Sequence, residues 1–141
     1  MDNRLMSYLY YFNVAQDYYE CHEYGEHLWL ESGRPLVLKG LIQAAVCLYH
    51  LGNGNLKGGH KMWLRAKSYL NPSRPLYEHI DLDKLISDID AVWQRVPRTW
   101  YGNIVPVAAI EALDLPIVTI RITDDEIVQQ LPTWIPLSLG H

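Results

Sequence analysis

Leu36-Val37-Leu38-Lys39-Gly40-Leu41-Ile42-Gln43-Ala44-Ala45-Val46-Cys47-Leu48-Tyr49-His50-Leu51 reads as one long helix. Pro35 suits the first turn of a helix, and Gly52 is a natural stop. From Leu41 to Tyr49 the stretch is apolar nearly all round, interrupted only at Gln43. A helix without a polar face belongs in the middle of a bundle, covered on several sides by its neighbours.

Those neighbours are legible on both sides. Upstream, Ser32-Gly33 ends a helix that runs from about Tyr18 to Glu31. Asp17 with Glu20 three residues later forms its capping-box start. Before it, Leu5, Tyr8, Leu9 and Phe12 recur at i, i+3, i+4, i+7 and predict a helix over 3–13, with a break at Asn13–Gln16. Downstream, Gly52-Asn53-Gly54-Asn55 is a turn by composition, and Asn55 is placed to cap a helix that reaches Leu70. Met62, Trp63, Ala66, Tyr69 and Leu70 are its expected inward face. Asn71-Pro72-Ser73-Arg74-Pro75 breaks it. A fifth helix over about 82–96 carries the clearest 3.6-residue stripe: Leu82, Leu85, Ile86, Ile89, Val92, Trp93 and Val96.

After Pro97 the character changes. Five of the eight prolines lie at or beyond that point, which argues against further long helices. Val107–Leu113 predicts a short helix. Leu115–Ile122 is β-branched and alternating, like a strand. Thr123-Asp124-Asp125-Glu126 reads as a second capping box, opening a helix to about Leu131. A lone strand needs a partner for its backbone, so the tail is expected to pair with a second tail or to lie over the bundle. The fold expected is all-α, a bundle of about five helices over 1–97, with a partly extended C-terminal extension over 98–141 containing one strand-like segment.

Composition narrows the function. The chain has 141 residues and is 49% apolar, enough to fill one core. Sixteen acids against twelve bases leave −4, which argues against a protein that coats nucleic acid. The longest apolar run, Ala44–Tyr49, is far short of a membrane span. Two cysteines are too few for a disulfide scaffold. Met1-Asp2-Asn3-Arg4 lacks a signal pattern, so a cytoplasmic protein is expected. Ten Tyr and five Trp against one Phe favour half-buried and interface positions, and they motivate a homo-dimer or other homo-oligomer.

The densest polar cluster is His22-Glu23-Tyr24-Gly25-Glu26-His27. His22 and Glu26 are helical neighbours at i, i+4, and Trp29 continues their stripe. Glu23 and His27 form the next pair, about 100° round the helix. Gly25 is expected to let another helix or a ring approach closely. The cluster departs from the zincin motif, because Glu26 occupies the second ligand position, and it lacks the Glu-x-x-His of di-iron bundles. No metal site is expected; His22, Glu26 and His50 are the residues that would contribute to one. Gln43, Cys47 and His50 share a stripe on the central helix.

Three readings of the cluster compete. The first is a buried His22–Glu26–Gln43 network that fixes helix register, in which case His22→Ala and Glu26→Ala should each cost about 1–3 kcal/mol. The second is a small-molecule ligand pocket or active site, with Glu23 or Glu26 as acid/base and His22 as partner. The third is a metal site. The candidate residues are therefore His22, Glu23, Glu26, Trp29, Gln43 and His50. No cofactor is indicated. Cys47 reads as a small buried hydrophobe. Lys57, Lys61 and Arg65 form a short basic face, best read as solvated; the acids Asp81, Asp83, Asp88 and Asp90 are candidates to meet it across a subunit contact.

Phe12-Asn13, the segment from Tyr18 through His22-Glu23 and Glu26 to Trp29, and Gly40-Leu41-Ile42-Gln43-x-Ala45, followed by His50 and the Gly52–Gly59 stretch, together resemble the signature of the DUF309 family. The resemblance covers roughly residues 8–70. It implies a small all-helical protein of the bacterial and archaeal kind, with no assigned function. Gly25 departs from the aliphatic residue usual in that family. Between the remaining possibilities, the absence of a complete catalytic set favours an oligomeric interaction module, with a ligand-binding protein or enzyme as the alternative.

Overall fold

The computed structural model describes residues 1–139. Its helices are α1 (Asn3–Tyr10), α2 (Tyr18–Glu31), α3 (Leu36–Gly52), α4 (Leu56–Leu70), α5 (Leu82–Gln94), α6 (Val107–Ala112) and α7 (Asp125–Gln130). The first expected helix ends early: Tyr11–Ala15 winds as a π-helical turn, closed by Gln16 in the left-handed region. The five bundle helices otherwise follow the sequence reading closely. Asp17, Asn55 and Asp81 each accept a hydrogen bond from a backbone N–H in the first turn of α2, α4 and α5. Among the described residues, no helix is long and apolar enough to cross a membrane.

α3 is the central element. It packs against α2 on one side and most extensively against α4 on the other. Ten of its seventeen residues are buried, which is the consequence of its missing polar face. The short connection at 32–35 makes α2 and α3 antiparallel neighbours. Every residue of the α5 stripe is buried.

Between α4 and α5 the chain forms a small hairpin that the sequence reading did not anticipate. β1 (Leu76–Tyr77) pairs antiparallel with β2 (Ile80–Asp81), in the register Leu76 with Asp81 and Tyr77 with Ile80. Glu78 and His79 both take positive φ at the turn, as a two-residue hairpin of the right twist demands.

The C-terminal segment lies over this same bundle. Val118, Ile120 and Ile122 are buried while Ile117, Thr119 and Arg121 are exposed, the period-2 pattern of a strand. It nevertheless joins no strand ladder. Its backbone is held at single points. Ile122 bridges Ile80, and the Arg121 carbonyl accepts from the Asp81 amide. The Asn13 carboxamide donates to the Ile120 carbonyl and accepts from the Ile120 amide, both at 2.8 Å. Further on, Trp134 Nε1 donates to Ser7 Oγ and Tyr24 Oη donates to the Leu137 carbonyl. α7 is capped by Asp124, not by Thr123, whose hydroxyl is turned to the His79 carbonyl. Ile110, Val118, Ile120, Ile122, Ile127 and Leu131 join one buried core with the bundle.

Candidate functional site

The N-terminal half of α2 runs beside the C-terminal half of α3. Antiparallel packing therefore brings Tyr18, Tyr19 and His22 opposite Val46, Tyr49 and His50, and together they line a cavity of about 200 Å³. The walls are mostly aromatic. The Tyr19 and Tyr49 rings lie 6.4 Å apart between centroids and are tilted by 51°. Tyr19 also faces the His22 ring at 6.4 Å, and Tyr49 the His50 ring at 5.8 Å. Tyr19 and Tyr49 are 55% and 43% exposed, so the cavity opens to solvent.

His22 stands on the wall between two carboxylates. Its Nε2 is 3.1 Å from a Glu26 oxygen, and its Nδ1 is 3.5 Å from a Glu23 oxygen. The side chains are 35%, 46% and 30% exposed for His22, Glu26 and Glu23. The Glu23 carboxylate also lies beside the Tyr19 phenol and pushes its pKa above the ordinary value.

This corrects the buried-network expectation. The His22–Glu26 pair sits at the surface, and Gln43 takes no part in it: among the described residues, the buried Gln43 Oε1 has no hydrogen-bond partner. The cost of His22→Ala or Glu26→Ala falls accordingly, from the 1–3 kcal/mol of a buried group to below about 1 kcal/mol for an exposed pair. Trp29 is half-buried. Arg34 lies over its ring at 5.4 Å and Lys39 at 5.7 Å from the centroid, within the range of cation–π attraction. The Trp29 Nε1, like Gln43 Oε1, is buried and has no partner among the described residues.

The six sequence candidates thus separate. His22 and His50 line the cavity, Glu23 and Glu26 attach to it through His22, and Trp29 and Gln43 lie outside its lining. The Glu23–His27 pairing expected from helical spacing is replaced. His27 is matched with Glu31 and lies 3.1 Å from an Arg4 guanidinium nitrogen. Tyr18, Tyr19, Val46 and Tyr49 were not among the candidates. The available signal was the aromatic excess, combined with the antiparallel register that pairs the start of α2 with the end of α3.

Among the described residues, no three His, Cys, Asp or Glu side chains converge to hold an ion. Both cysteines are buried and unpaired. Burial pushes the Cys47 thiol up to about 12 and also raises that of Cys21 well above the ordinary thiol value, so neither is a thiolate at neutral pH. The acids of α5 find partners within the chain. Asp90 takes Lys67 and the Trp63 indole, Asp83 takes Arg74, and Asp88 takes Lys84.

Comparison with known proteins agrees with the motifs. The chain is 29% identical to the uncharacterized protein YpuF of Bacillus subtilis (strain 168), over 79% of this chain. It spans 63% of the length of that relative. No solved structure matches it. Residues 5–62, which hold most of α1, all of α2 and α3 and the whole cavity lining, match the model of the family described as Domain of unknown function (DUF309).

Proposed function

We propose that the protein binds a small molecule in the cavity between α2 and α3. The observation that carries this reading is the coincidence of an open, aromatic-walled cavity with the polar cluster singled out by sequence: His22 and His50 line it, and Glu23 and Glu26 stand directly behind His22. Ligand sites are typically apolar concavities with a few placed polar groups, and this arrangement has that character. His22 between two carboxylates supplies a proton-transfer pair at the rim, so an acid–base reaction on the bound molecule is compatible with the site. Two unpaired cysteines are in keeping with a cytoplasmic setting.

A panel of small organic probes, followed by amide and aromatic-ring NMR shifts, tests the reading. Shifts clustering on Tyr18, Tyr19, His22, Tyr49 and His50, and abolished by Val46→Trp, are expected. A panel that perturbs none of these residues overturns it.

A homo-oligomer is the second reading, favoured by the exposed apolar side chains of the C-terminal segment. Ile135 is 80% exposed and Leu137 59%, and Ile104 and Ile117 add further uncovered apolar surface. Light scattering across a concentration series checks it; a monomeric mass throughout removes it.

A further inference from the structure

We infer that the α2–α3 cavity is selective for a small methylated ammonium ion, held over the tyrosine faces and within the field of the Glu23 carboxylate behind His22. This rests on the ligand-site reading and specifies its chemistry.

The walls are suited to a cation. Tyr18, Tyr19 and Tyr49 contribute three phenol rings, and His22 and His50 two imidazoles. An aromatic face attracts a cation within about 6 Å of its centroid. With Tyr19 and Tyr49 centroids 6.4 Å apart, a cation seated over the gap lies within that range of both.

The charges point the same way. None of the six lining residues is Lys or Arg. Glu23 adjoins both Tyr19 and His22, and Glu26 is paired to His22 from the far side. Glu20 also acts on Tyr19, adding negative field at the same end of α2. An anionic ligand would meet this field unfavourably.

The apolar lining decides between kinds of cation. A primary ammonium is strongly hydrated and needs three hydrogen-bond acceptors to leave water. Methyl groups replace that need with apolar contact against rings and Val46. Size agrees: about 200 Å³ is below the roughly 300–1,000 Å³ typical of sites for drug-sized ligands, and suits a headgroup-sized molecule.

The experiment uses choline and its uncharged isostere 3,3-dimethylbutan-1-ol, which have nearly the same shape. Each is titrated into the full chain while the tyrosine ring resonances are followed. Choline is expected to shift Tyr19 and Tyr49 and to bind at least about tenfold more tightly than the isostere. Tyr19→Leu and Tyr49→Leu, both at exposed positions, are each expected to weaken choline about two- to fivefold, the loss of one cation–π face. Glu23→Gln should weaken choline and leave the isostere unchanged. Equal binding of choline and isostere overturns the charge selectivity while the ligand site stands. No response to either overturns the inference, and the wider probe panel then decides the ligand-site reading separately.

Discussion

Gly25 sits in mid-helix on α2, where a glycine costs about 1 kcal/mol against alanine. The structure shows what that cost permits. A Cβ at this position would meet Ile42 Cγ1 of α3 at 2.7 Å, and the Tyr8 ring is close behind at 3.5 Å. The two helices approach as they do because the side chain is missing, and this approach sets how the cavity-lining residues of α2 face those of α3. Gly25→Ala is therefore expected to destabilise by about 1–3 kcal/mol, an overpacking effect. Combining it with Ile42→Ala should give less than the sum of the two single losses, because the cavity made by one accommodates the methyl of the other. Urea unfolding of the four proteins measures this; strict additivity would show that the contact is not what glycine relieves. Gly54 is a second special position, with φ of +81° and the Val105 carbonyl 2.0 Å from where a Cβ would stand, so the interhelical turn and the start of the tail are mutually shaped.

At the scale of elements, the strand-like segment over 117–122 shows how a strand pattern can be used without a sheet. Its side chains alternate between core and solvent, but its backbone partners come one at a time. Asn13 is the most telling of these. Its carboxamide has one donor and one acceptor side, and it offers both to Ile120, imitating the paired N–H and C=O of a neighbouring strand residue. The π-helical turn at Tyr11–Ala15 carries this residue. Asn13→Ala leaves a half-buried amide and carbonyl without partners, so a loss of about 1–3 kcal/mol is expected. Limited proteolysis should also cut the segment after Leu113 faster in that variant. An unchanged unfolding midpoint and cleavage rate would mean that side-chain burial alone holds the segment.

For the whole molecule, acid sensitivity is expected to have a source outside the candidate site. His60 on α4 faces the Trp93 and Tyr101 rings at 5.2 and 4.5 Å between centroids, so it does not belong to the solvated basic face of its helix. Burial there, with a smaller contribution from Lys67, lowers its pKa below the usual 6.5. The unfolded chain therefore takes up this proton before the folded one does. Stability is unaffected by the group above about pH 6.5 and falls as pH drops through that value, until the folded histidine protonates as well. Thermal unfolding should show a steeper decline below pH 6.5 for the natural chain than for His60→Phe. Parallel pH profiles would assign the acid sensitivity to other groups.

Periodicity and capping determined the elements, because both act over a few residues and are written locally. The α5 stripe, the Asp17 and Asn55 caps and the apolar circumference of α3 each had one solution. The same local information also placed His22 and Glu26 on one helical surface. What the chain could not specify locally is which side of that surface meets water. Helical spacing puts His22 and Glu26 together whether they are buried or exposed, and the expectation of a buried network with Gln43 failed at this point. Only the packing of α2 on α3, with its offset set by Gly25 and Ile42, turned His22 toward Tyr49 and His50 and left Gln43 in a separate environment. The course of the tail was likewise a tertiary decision, since its alternating residues needed an apolar surface and its backbone needed partners such as Asn13, more than a hundred residues away in sequence.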